Sequence, residues 1–124
     1  MKLITLFLLV GMLAASGWTE DAKPEPYSPE LVKRAKAGDA KAQFDLGLCY
    51  VRADGVNKDN KEFLKWLTKS AKQGYAPAQC NLGRCYYYAM GIKKNYEEAV
   101  KWLTNAADQG DELAKKELER IKSK

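Results

Sequence analysis

From Ala42 onward, apolar side chains recur at helical spacing. Ala42, Leu46, Cys49, Tyr50 and Ala53 fall on one face, and Phe63, Trp66, Leu67 and Ser70 fall on another shortly after. Between the two stripes Gly55 stands where the first helix must stop, and it is expected to supply a left-handed C-terminal cap. Asp59 and Glu62 have the spacing of a capping box for the second helix. The pattern predicts a helical hairpin. It then returns: Ala99, Trp102, Leu103 and Ala106 repeat the second stripe, with Gly91 at the stop and Asn95 with Glu98 at the restart. Ahead of both, Ser28 and Pro29 suit an N-cap and a first helical position, which predicts a short helix over residues 28–38.

Residues 35–70 align over residues 71–106 without a gap, at a period of 36 marked by Gly38, Gly74 and Gly110. Identical pairs include Ala42/Ala78, Gln43/Gln79, Leu46/Leu82, Gly47/Gly83, Cys49/Cys85, Tyr50/Tyr86, Trp66/Trp102 and Leu67/Leu103, so the unit is duplicated. A glycine inside a helix costs about 1 kcal/mol relative to alanine, so Gly47 and Gly83 are expected to let the paired helix approach closely. From Asp111 a third copy begins and stops after one helix. Leu113, Ala114, Leu118 and Ile121 keep a packing stripe while Lys115, Glu119 and Lys122 replace the Gln, Gly and Tyr of the motif. A terminal unit with a polar outer face keeps a stacked array soluble. The division expected is a lead-in over 18–27, a helix over 28–38, repeats over 39–74 and 75–110, and a capping helix with tail over 111–124.

The first residues change where such a chain is expected to work. Lys2 precedes an uncharged apolar run from Leu3 to Ala15 and then small residues, the layout of a secretory signal peptide over residues 1–17, cleaved near Ser16 or Gly17. The run is shorter than the roughly 20 apolar residues that span a bilayer. A lipoprotein leader would carry Cys where Ser16 stands. The expected location is therefore exported, periplasmic or secreted, with no stable membrane anchor after cleavage. Loss of Lys2 takes the formal charge from +5 to +4. The lysines are interleaved with acidic residues, so a solvated surface is expected and no nucleic-acid partner.

The two copies, AxAGDAxAQxxLGxxYxxxxGVxxDxxExxxWLxxxA and AxQGxAPAQxxLGxxYxxxxGIxxNxxEAVxWLxxAA, resemble Sel-one-like repeats, relatives of tetratricopeptide repeats. The resemblance covers residues 35–110. It implies an all-α, right-handed α/α superhelix of antiparallel helix pairs, with the first helix of each pair lining the concave side. It also implies an adaptor or recognition module without chemistry of its own, often an exported or envelope protein in bacteria. A cysteine-rich subgroup of the family links the two helices of each repeat and has been connected with penicillin binding. Neither second helix here contains Cys, so that property does not carry over.

Histidine is absent from the chain, which removes the commonest general base and metal-binding imidazole. No phosphate loop, nucleophile elbow or metal-spaced cysteine cluster is present. No enzyme activity, no metal and no cofactor is expected. Cys49 and Cys85 share one repeat position on the apolar face. Stacked helices sit roughly 8–10 Å apart, beyond disulfide reach, so two buried thiols are expected. Cys80, in the place of Phe44, is expected to project outward as a possible intermolecular thiol.

With Leu46 taken as the core direction, Phe44, Leu48 and Val51 project oppositely, and their counterparts are Cys80, Arg84 and Tyr87. An apolar stripe the core does not use points to an interaction surface, unless the lead-in or the N-terminal helix folds over it. The partner-binding surface expected is Phe44, Leu48, Val51, Arg52, Arg84, Tyr87 and Tyr88. Tyr86 has its counterpart in Tyr50, whereas Tyr87 and Tyr88 replace Val51 and Arg52 and are not demanded by the repeat. The function expected is capture of a protein or peptide in the groove of the first helices. Two other readings are an envelope enzyme or inhibitor acting on cell-wall-like or β-lactam ligands, and a structural subunit of an envelope assembly.

Overall fold

The computed structural model describes residues 23–124, so the leader expected over 1–17 and the start of the lead-in lie outside the described residues. Six helices follow in order: α1 (Pro29–Lys36), α2 (Ala40–Arg52), α3 (Asn60–Lys72), α4 (Ala76–Tyr88), α5 (Tyr96–Asp108) and α6 (Glu112–Lys122). Each packs chiefly on the next, and α4 also touches α6. The described residues form an all-α solenoid: hairpins α2–α3 and α4–α5, flanked by α1 and α6.

The polar residues ahead of the helices decide where they start. Ser28 Oγ accepts from the Leu31 N–H at 3.0 Å, and the Asp39, Asn95 and Asp111 side chains accept from N–H groups three residues on. Asp59 accepts from the N–H groups of Lys61 and Glu62. The capping boxes are one-sided. The N–H groups of Asp59 and Asn95 donate to the carbonyls of Tyr50 and Tyr86. Glu62 and Glu98 are thereby free to accept from the indoles of Trp66 and Trp102, at 3.0 and 3.1 Å.

The stops correct one expectation. The left-handed caps of α2 and α4 are Ala53 (φ 55°) and Ala89 (φ 54°), and Gly55 (φ 74°) and Gly91 (φ 73°), two residues further on, are left-handed as well but do not cap. An alanine in that region costs about 1–2 kcal/mol. The cap N–H of each closes onto the carbonyl of Cys49 or Cys85.

Three buried clusters run along the stack. The first joins Leu31 and Ala35 of α1 to Leu46, Cys49 and Trp66. The second joins Phe63, Leu67 and Ala71 to Ala78, Leu82 and Cys85, and the third joins Cys80, Leu103 and Ala106 to Ala114 and Ile121. Leu31 and Ala35 stand one period before Leu67 and Ala71 and are buried like them, so α1 packs as the end of a second helix does. Gly47 and Gly83 permit the close hairpin packing. A Cβ on Gly83 would lie 2.7 Å from Leu103 Cγ and 3.0 Å from the Ala99 carbonyl, while one on Gly47 would lie 3.3 Å from the Phe63 carbonyl.

Glutamine amides tie each unit to its predecessor. Gln43 donates to the Ala35 carbonyl at 3.1 Å and Gln79 to the Ala71 carbonyl at 3.2 Å. Gln73 donates to the Gly38 carbonyl and to Gln43 Oε1, both at 2.8 Å; Gln109 does the same to Gly74 and Gln79 at 2.8 and 2.9 Å. Residues 23–27 of the expected flexible lead-in lie against the first hairpin. Glu25 pairs with Arg34, its carbonyl accepts from the Cys49 thiol, and Tyr27 packs on the first cluster.

Candidate functional site

The first helices α2, α4 and α6 share one side of the solenoid, where two adjoining clefts open. The first, about 410 Å³, has apolar walls from Phe44 and Leu48 of α2, Tyr75 and Cys80 at α4, Leu113 of α6, and Pro24 of the lead-in. Arg52, Asn81 and Asp111 supply its polar groups. The second, about 280 Å³, lies among Leu48, Val51, Arg52, Asn81, Arg84 and Met90. Leu48, Arg52 and Asn81 belong to both, so the two form one continuous surface.

The repeat register explains how α4 came to hold the middle of this surface. Asp39 and Asp111 cap α2 and α6, whereas the equivalent residue Tyr75 gives α4 no side-chain cap. A lost cap is worth about 1 kcal/mol. Pro77, in the first turn, lacks the N–H that would be left unpaired, which reduces the loss. The Tyr75 ring meets Phe44 instead, with centroids 5.5 Å apart and planes tilted at 59°. Two aromatics from successive repeats thus wall the cleft at the expense of a helix start.

A second register position lines the same side: Asp45, Asn81 and Glu117 are equivalent in the three copies. Asp45 is buried and accepts from Lys41 Nζ at 2.6 Å. Burial raises its carboxyl above the ordinary value, and Lys41 opposes that rise. Glu117 draws in Arg120 at 2.5 Å, Arg84 at 3.8 Å and the Tyr88 hydroxyl at 3.4 Å. Asn81, half-buried between them, makes no side-chain hydrogen bond among the described residues. Arg52 has no ion pair there, and the buried Arg84 Nε has no hydrogen-bond acceptor.

The structure brings Phe44, Leu48 and Arg52 together in the first cleft, and Leu48, Val51, Arg52 and Arg84 in the second. Leu48 is buried floor, 8% exposed, and Val51 is half-buried against the second cluster. Pro24 of the lead-in lines the first cleft. Tyr87 and Tyr88 lie elsewhere. Tyr87 packs on the third cluster with Leu118 and carries Lys94 over its ring, while Tyr88 meets the Tyr87 ring edge-on and faces Arg120. The capping helix explains both rings.

Cys80 does not project outward. It is 2% exposed, closed in by the third cluster, and burial pushes its thiol up to about 12. An intermolecular disulfide has no accessible sulfur there. Burial also pushes the Cys85 thiol up to about 11 and raises that of Cys49, and all three cysteines are unpaired and buried. Thiols so shifted are not nucleophiles near neutral pH. Tyr75, Asn81 and Leu113 were not anticipated as site residues. The signal for Tyr75 was present, since it breaks an otherwise aspartate series at one repeat position. Among the described residues no cluster of His, Cys, Asp or Glu could hold a metal ion, and no helix is long and apolar enough to cross a membrane.

Comparison with solved structures returns the same architecture. The chain is similar to a Sel1 repeat protein from Oxalobacter formigenes, with 33% identity and a TM-score of 0.70 over 73% of this chain and 68% of that one. It is also similar to a protective antigen of uropathogenic Escherichia coli strains that displays an SLR fold, with 36% identity and a TM-score of 0.66 over 68% of this chain. The matched part spans only 18% of that antigen. A search of curated protein sequences returns no match. The Sel1 repeat profile matches residues 40–75 and 76–111, within a residue of the periods read from the glycines. Those two matches cover more than half of the sequence, and the chain belongs to the Sel1 repeat family.

Proposed function

We propose that the chain is an exported, non-enzymatic recognition module that binds a protein or peptide segment along the clefts of its first helices. Sel1 repeats typically serve as protein interaction modules. The observation that carries the reading to this surface is Tyr75. Its position favours a capping aspartate, and the sequence gives up that cap to place a ring against Phe44 in the first cleft. Departures from local rules without local benefit concentrate at functional sites. Export rests on the leader pattern of residues 1–17.

The test is the Tyr75→Asp variant. It regains the N-cap bond, worth about 1 kcal/mol, against the loss of a half-buried ring, so its denaturation midpoint should stay close to that of the parent. Cross-linking capture from the native envelope should fall at least about tenfold, the loss expected when an aromatic anchor is removed. Equal capture by Tyr75→Asp and Phe44→Ala would exclude these clefts. N-terminal sequencing of the protein recovered outside the cytoplasm tests export, with a start near residue 17 expected and an intact Met1 opposing it.

A further inference from the structure

We infer that the outer side of α1 and α3 is a basic face that lies against a bilayer leaflet carrying anionic lipid. This side is away from the clefts, and the inference does not rest on the peptide-binding reading. Along the chain the lysines alternate with acidic residues, but the fold separates them. In α3, Lys61, Lys65, Lys69 and Lys72 fall within about 80° of arc at roughly 100° per residue, and all four are exposed. They point away from Phe63, Trp66, Leu67, Ser70 and Ala71, the buried residues of the same helix. In α1, Lys33 and Lys36 stand one period before Lys69 and Lys72 and are likewise exposed. The two helices are tied together. Trp66 shares the first cluster with Leu31 and Ala35, and the Gln73 amide donates to the Gly38 carbonyl at 2.8 Å.

The second repeat shows that the fold does not require these charges. Lys61, Lys69 and Lys72 become Glu97, Asn105 and Asp108 in α5, and only Lys65 keeps its charge, as Lys101. Thus α3 carries four lysines and one acid, Glu62, whereas α5 carries one lysine and three acids. Lysines in the last turns of α1 and α3 suit the helix dipole, but Lys61 stands in a first turn, where the dipole favours an anion such as Glu97. Lys61, Lys65 and Lys69 also follow one another at i, i+4, a like-charge spacing that destabilises a helix, whereas Glu97 and Lys101 have opposite signs at that spacing. Lys65 and Lys69 both lie over the Trp66 ring, 4.9 and 5.0 Å from its centroid, which gathers their charges. Of the six lysines only Lys65 has an ion pair among the described residues, with Glu62 at 3.6 Å, and Glu62 also accepts from the Trp66 indole. Like charges assembled without internal partners are relieved by an external anion.

The shape of the face selects the anion. None of the six lysines lines either cleft, so there is no groove here to hold a single polymer strand. The ridge from Lys61 to Lys72 runs about 16 Å along α3, and long lysine stems bring ammonium groups to a common plane. Neighbouring lysines lie within a Debye length, about 10 Å at 0.1 M salt, so their fields add at a charged surface. Contact by this side leaves the clefts of the first helices open to solvent.

The probe is a pair of vesicles, one of phosphatidylcholine alone and one of equal parts phosphatidylcholine and phosphatidylglycerol, sedimented with the full chain in low salt. The ratio of the two affinities is the readout, because the apolar run over residues 3–15 contributes alike to both. Binding to the phosphatidylglycerol vesicle is expected to be at least about a hundredfold stronger, and to fade above roughly 0.5 M salt. Lys61→Gln, Lys69→Gln and Lys72→Gln combined should cut the ratio about fivefold per lysine, with the melting temperature unchanged or raised. The same change at Lys116, Lys122 and Lys124, exposed lysines at the other end of the stack, should leave it within about twofold. Equal affinity for the two vesicles overturns the inference, as does an equal fall in both triple variants, which reduces the effect to net charge. Retention on immobilised inorganic polyphosphate without vesicle binding overturns it too and assigns the face to an anionic polymer.

Discussion

The two repeats have the same fold but different open sides. Ala42, Leu46, Gly47, Cys49, Trp66 and Leu67 recur unchanged as Ala78, Leu82, Gly83, Cys85, Trp102 and Leu103, and these are the residues of the hairpin interior. Asp39, Asp45, Leu48 and Val51 become Tyr75, Asn81, Arg84 and Tyr87, and these lie at or along the first helices, where the lead-in and the capping helix meet the repeats. A duplicated unit therefore separates two demands on sequence. Positions held equal build the solenoid, and positions released from equality distinguish one cleft wall from the next.

The sharpest way to break the comparison uses the thiols. Cys80, raised from 9.0 to about 12, should react with iodoacetamide in the folded protein about a thousandfold more slowly than an unshifted thiol. Cys49 should react faster than its equivalent Cys85, whose thiol is pushed further. Mass spectrometry of native and urea-unfolded samples reads all three, and rapid native labelling of Cys80 would mean that the third cluster is open.

A smaller effect separates the paired glycines. Gly83→Ala forces its Cβ onto Leu103 and backbone and is expected to destabilise by about 1–3 kcal/mol. Gly47→Ala meets its nearest neighbour at 3.3 Å, and the gain in helix propensity, about 1 kcal/mol, should leave it near neutral. Urea denaturation of the two variants checks the difference, and equal effects would contradict the asymmetry between hairpins.

The smallest effect concerns Asp45 against Asn81. The raised carboxyl of Asp45 stabilises the fold fully below its ordinary value of 3.8, and that contribution is lost as pH rises through the higher folded value. At pH 7 the buried charge is held at a cost, so Asp45→Asn should raise the melting temperature by about 2–4 °C, less than 1 kcal/mol for a domain of this size. The gain should shrink as pH falls toward 4. Glu25, lowered chiefly by its hydrogen bond to Arg34, has the opposite sign: its contribution is present above 4.5 and lost on acidification. A gain that persisted at low pH would exclude charge burial as its cause.

Much of the architecture was legible in the sequence because it is periodic. The hairpins, the terminal helix and the N-caps Ser28, Asp59 and Asn95 followed from spacing and residue type, the caps Asp39 and Asp111 did not, and the glycines marked the period. The caps were misplaced because each loop holds two left-handed residues, Ala53 with Gly55 and Ala89 with Gly91, and the alanine comes first. The site was less legible. A single core direction suits a helix packed on one neighbour, but α4 packs on α3, α5 and α6, which leaves little outward face. Cys80 is buried for that reason. Tyr87 and Tyr88 were assigned to the groove because they depart from the first copy, yet α6 departs too, and it supplies Leu118, Glu117 and Arg120 to meet them.

The glutamine amides carry a consequence for how such a chain can lengthen. Each copy brings both halves of its joint, Gln43 or Gln79 facing the turn before it and Gln73 or Gln109 closing the seam. A copy of residues 39–74 inserted in frame after Gly74 would keep the seam of α3 against α4 and add one in which α3 meets a second copy of α2, with the same glutamines on both sides of it. The glutamine joint is thus carried within each copy, and what a duplication adds is a single new helix–helix contact. Lys115 occupies the Gln79 position in α6 and ends the series, so extension by this rule proceeds from within the array and stops at the cap.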